Sequence, residues 1–153
     1  MSLFYTFYGE ADVSSEDFRA LLAAATGGTI APDGTIFREG LNVTAFRVGP
    51  DEARATAGYF GFEHRVSAVF NLANRATPEV REHNTVLMVE AVLAYFDAYP
   101  GRGVLLFNGE EAILQRLDGG IEFGSDWEDW LELPEVAPLV ARHSLRRLGQ
   151  PLL

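Results

Sequence analysis

Asn108-Gly109 constrains the fold more than any other feature of the chain. A two-residue hairpin loop of the favoured hand needs positive φ at both central positions, and Asn-Gly tolerates that best. Apolar, β-prone runs at 104–107 and 112–117 flank the pair, so a hairpin is predicted there. A second turn pair, Asp118-Gly119, leads into 121–123, and three adjacent antiparallel strands forming a C-terminal meander are the simplest reading.

A sheet with one solvated face needs a helical layer on the other, and two segments supply it. Thr77 is a helix N-cap with Pro78 at the first helical position, and Pro100-Gly101 closes the element. Within it Val86, Val89, Leu93 and Phe96 share one face, opposite Glu79, His83, Glu90 and Asp97. Ser14 caps an earlier helix that places Phe18, Leu21, Leu22 and Ala25 toward the core and ends at Gly27-Gly28. Strands are expected at 3–8, 41–48 and 65–72, with a small hairpin around Pro32-Asp33-Gly34. One or two helical turns are expected at 51–57, followed by an aromatic loop with Tyr59, Phe60 and Phe62 between Gly58 and Gly61. A proline-interrupted helical segment at 134–148 carries Arg142, His143, Arg146 and Arg147, whose charges suit a helix C-terminus. The sum is an α+β two-layer sandwich in one domain over residues 1–153. Its antiparallel or mixed sheet has five to seven strands, covered mainly by helices Ser15–Thr26 and Pro78–Ala98.

Composition excludes more than it names. With no cysteine, disulfides, thiolate metal sites and cysteine nucleophiles fall away. All 12 basic residues are arginine, which removes Schiff-base lysines and a Walker lysine. His64, His83 and His143 lie too far apart for the usual zinc spacing, and neither a Gly-x-Ser-x-Gly elbow nor a dinucleotide fingerprint is present. No metal, cofactor or catalytic residue is therefore expected. The first ten residues carry no basic side chain, and the longest apolar stretch is far below the ~20 residues a membrane helix needs, so a cytoplasmic protein without membrane association is expected.

A net charge of −10 opposes a polyphosphate, so nucleic acid is not an expected partner. Residues 110–135 hold nine acids against Arg116 alone, a local charge of −8, and Trp127 and Trp130 lie among them. Adjacent acids such as Glu110 and Glu111 diverge on a regular strand, which argues against a catalytic dyad. Two readings of the segment compete. Either it is a solvated edge whose tryptophans turn into the core, or Glu110, Glu111, Asp126, Trp127, Glu128, Asp129 and Trp130 capture a basic protein.

The run 103–110, with Ala112-Ile113-Leu114-Gln115-Arg116 after it, resembles the corresponding segment of the SitI-type (swarming-inhibition) immunity proteins of bacterial polymorphic toxin systems. The similarity reaches back to the strand at 66–72 and the helix at 78–99, and forward to the tryptophans. It implies a non-enzymatic antidote that binds and blocks a cognate toxin; the charge of 110–135 adds the expectation that the toxin is basic, and a monomer or weak homodimer is expected. Two rivals stand beside it: a small-ligand binder or enzyme with a pocket lined by Tyr59, Phe60 and Phe62, and a scaffold that pairs through its tryptophan surface.

Overall fold

Strand β1, Leu3–Gly9, alternates so that Tyr5 and Phe7 are buried on one face while Phe4 and Tyr8 stand on the other. It is the middle of the sheet. The computed structural model describes residues 3–150. Among these, nine strands form one sheet in the order β2-β3-β4-β5-β1-β6-β7-β8-β9. They are β2 Thr29–Ile30, β3 Ile36–Arg38, β4 Leu41–Arg47, β5 Val66–Leu72, β6 Gly103–Phe107, β7 Glu111–Arg116, β8 Glu122–Gly124 and β9 Ser144–Arg146. Every pairing is antiparallel except β8 with β9. The strand count exceeds the expected five to seven because β9, which falls inside the segment expected to be helical, joins the ladder beside the short strands β2 and β8.

The two main helices, α1 (Ser15–Thr26) and α3 (Pro78–Ala98), have the expected bounds because their end signals are local. The Ser14 hydroxyl accepts from the Asp17 N–H at 3.1 Å and the Thr77 hydroxyl from the Val80 N–H at 3.2 Å. Gly27 takes φ 70° at the end of α1. Glu79, His83, Glu90 and Asp97 are exposed as expected, and Val86, Val89 and Phe96 are buried. Met88, Ala91, Val92 and Tyr95 are buried too, because α3 packs against α1 as well as the sheet.

Where α3 presses hardest, the sheet offers glycine. Gly9 and Gly103 pair across β1 and β6, and a Cβ on Gly103 would come within 2.7 Å of the Phe96 ring and 2.9 Å of Phe7. The Tyr95 hydroxyl lies over this spot and accepts from the Ala11 N–H at 2.9 Å; burial pushes its pKa up to about 12. Arg116 finishes α3 from β7, donating to the carbonyls of Phe96 (2.7 Å), Tyr99 (2.6 Å) and Gly101 (2.8 Å).

Two segments depart from expectation. Helix α2 runs over Pro50–Phe60, so Tyr59 and Phe60 end a helix instead of lining a loop. Gly58 weakens the pattern by ~1 kcal/mol, but Pro50 at the start, acids in the first turn and Gly61 at φ 80° outweigh it. Beyond Pro134 only one turn, α4 (Ala137–Val140), is helical. Burial of Val136, Leu139 and Val140 stops there, and the chain then pairs with β8, the Ser125 N–H donating to the Arg146 carbonyl at 2.8 Å. Arg146 and Arg147 thus lie on and just past an edge strand, not in a helix's last turn.

Candidate partner interface

The hairpin forms at Asn-Gly, with three residues, 108–110, between the strands where two are expected. Asn108 and Gly109 take φ 54° and 71°, and the Glu110 N–H donates to the Phe107 carbonyl at 3.0 Å. Glu110 sits exposed in the turn, while Glu111 opens β7 opposite Phe107. Directly opposed residues share a face, so Glu111 follows Phe107 toward the helical side. A bulge between Leu105 and Leu106 then lets both Ile113 and Leu114 point into the core. After Asp118-Gly119 the chain makes a wider loop over 117–121, not a tight turn, before β8.

Downstream of β8 the chain folds under the sheet's Leu3 end. Trp127 is half-buried, its ring 4.7 Å from Phe107 and 6.4 Å from Trp130. Glu128, Asp129 and Trp130 form a single 3-10 turn. Trp130 is 3% exposed and packs on Tyr5 (6.1 Å) and Phe123 (6.3 Å). Of the two tryptophans expected at a partner surface, Trp130 is therefore core, and Trp127 offers only part of its ring. Tyr5, beneath them, has its pKa pushed up to about 12, first by burial and further by Asp129, against a lowering hydrogen bond with Trp130.

The acids of 110–135 do not share one fate. Arg146 pairs with Glu122 and, with Gln115, holds its carboxyl below the usual range. Arg147 lies 3.2 Å from Asp126, and His83 Nδ1 lies 3.8 Å from Glu135. Asp118 lies in the 117–121 loop and acts on Arg102, away from the tryptophans. Among the described residues, Glu110, Glu111, Glu128, Asp129 and Glu132 make no ion pair. Arg116, the segment's own cation, is occupied by the end of α3. The contact of Trp127 with Phe107 draws the hairpin acids and the 3-10 acids to the same end of the sheet.

Sequence patterning missed the apolar residues among these acids. Leu3 is 41% and Leu131 37% exposed, and they come from elements distant in sequence. The aromatic trio does not form the expected pocket. Phe62 is buried in a second apolar cluster behind the sheet with Val104, Leu106 and Leu148. Tyr59 and Phe60 line a groove of about 240 Å³ with Gln115 and Gln150, and no carboxylate lines it. No group of three or more His, Asp or Glu able to hold a metal occurs among the described residues, and none of their helices is long and apolar enough to cross a membrane.

A model of a family described as SitI3-like matches residues 3–134, which supports the resemblance seen in the hairpin and extends it over the N-terminal third. No curated protein and no solved structure matches the chain.

Proposed function

Because the chain belongs to the SitI3-like family, we propose that it is an immunity-type inhibitor that binds and neutralises a cognate toxin in the cytoplasm, without catalysis. The contact falls on the acids at the Leu3 end of the sheet, and the toxin presents basic residues to it. One observation carries the reading: Glu110, Glu128, Asp129 and Glu132 are exposed and, among the described residues, make no ion pair. Like charges held together raise the energy of the free protein, and a basic partner relieves that repulsion on binding. Their field extends over a Debye length of ~8 Å at physiological ionic strength, enough to guide an approaching cation before contact.

Charge at an interface rim acts mainly on the association rate. Reversing Glu128, Asp129 and Glu132 to arginine is expected to slow association with the cognate toxin about tenfold or more at low salt, and to flatten its salt dependence. Stopped-flow mixing over a salt series measures both. Rates and salt slope equal to wild type would overturn the acidic contact.

A further inference from the structure

An apolar groove lies where Leu133 of the acidic segment 110–135 meets β1 and α3. Leu3 pairs with Leu72 across β1 and β5, and with Tyr5, Pro78, Thr85 and Leu133 they line a depression of about 290 Å³. That volume lies at the bottom of the ~300–1,000 Å³ range of small-molecule sites, a size for one or two side chains rather than a cofactor. Leu72 is 2% exposed and forms the floor; Leu3 at 41% forms an open wall. The charged side chains that line the groove are Glu82 and Arg81 of α3, and its Leu133 belongs to the acidic segment 110–135, directly after Glu132. An apolar centre with a charged rim has the anatomy of an interface anchor.

We infer that this groove receives an apolar side chain that the partner protein carries between basic residues. The inference rests on the inhibitor reading above and divides its labour. The acids guide the toxin in, and the groove holds one of its side chains and sets how long the complex lasts. Charge selects this occupant over the other candidates. A second copy would bring another chain of net charge −10 against the first, and an anionic membrane would be repelled for the same reason.

Two synthetic peptides, Arg-Lys-Leu-Lys-Arg and Arg-Lys-Ser-Lys-Arg, carry equal charge and differ only at the anchor. Heteronuclear NMR titration of the full chain at low ionic strength is expected to show the leucine peptide binding about tenfold tighter, with shifts at Leu3, Thr85 and Leu133 that the serine peptide does not cause. Leu3→Ser, at an exposed position, is expected to erase that preference while leaving serine-peptide affinity and the melting temperature unchanged. Equal affinities for both peptides would overturn the groove and leave the acidic contact standing. Leucine-specific shifts at Tyr59 and Phe60 would overturn it by moving the anchor behind the sheet. A concentration-dependent dimer in sedimentation, lost in Leu3→Ser, would assign the groove to self-association and overturn it as well. Binding of neither peptide would remove the acidic contact along with the groove.

Discussion

The two ends of β1 hold similar carboxylates in opposite circumstances. At the Gly9 end, Glu10 takes Arg102 in a two-pronged contact, 2.7 Å at its closest, and accepts the Arg102 backbone N–H at 2.8 Å. Asp12 pairs with Arg47 and lies 3.6 Å from Arg65. Both carboxyls are held below their ordinary pKa, first by hydrogen bonds from their arginine partners. At the Leu3 end, Glu110, Glu128, Asp129 and Glu132 have no such partners. Acidity by itself therefore does not mark a binding surface; what matters is where the chain's twelve arginines are engaged. At one end charge holds loops to the sheet, and at the other the carboxylates make no ion pair among the described residues.

The sharpest attack on this comparison is at Trp130, which lies under the acids yet belongs to the core. Trp130→Ala is expected to cost ~3–5 kcal/mol in urea unfolding, since the ring fills space against Tyr5 and Phe123. A loss below about 1 kcal/mol would make it a surface anchor instead. Next comes Glu10→Gln, expected to lose ~1–2 kcal/mol at neutral pH after allowance for the partial exposure of the pair. The sign of its pH dependence follows from the lowered pKa. The wild type's advantage is complete above the ordinary carboxyl value of 4.5 and disappears as pH falls through the lower folded value. Urea midpoints of the two proteins should converge in acid; a constant gap would show that the glutamate acts by packing rather than charge. The smallest effect is reserved for the other end. Neutralising Glu128, Asp129 and Glu132 together to Gln, Asn and Gln is expected to leave stability within ~0.5 kcal/mol of wild type. A loss as large as that of Glu10→Gln would reveal intramolecular partners and erase the contrast.

How far the sequence was legible depended on how local each signal is. Helices α1 and α3 were readable to the residue, because Ser14, Thr77 and Pro78 act within one turn of where they stand. The hairpin was readable because Asn108-Gly109 states its own dihedral angles. Strand β9 was not: its three exposed residues acquire a conformation only by lying parallel to β8, a pairing no local pattern announces. The excess of acids at 110–135 was visible in the sequence, but their division into paired and unpaired was not. It is decided by Arg146 and Arg147 arriving along β9, and by Arg116 being engaged at the end of α3. The tryptophans divide for a similar reason. Nothing in the spacing of Trp127 and Trp130 says that Tyr5 and Phe123 wait beneath only the second.

Placing β1 in the middle of the sheet has a cost in time. Tyr5 pairs with Phe70 on one side and with Phe107 on the other, so both neighbours leave the ribosome long after β1 does. Until they arrive, an aromatic strand with two open edges must wait in a growing chain, and closing those long loops slows the final assembly. Nascent copies should therefore depend on chaperone shelter far more than the finished molecule does, and cooling during expression should raise the yield of folded protein.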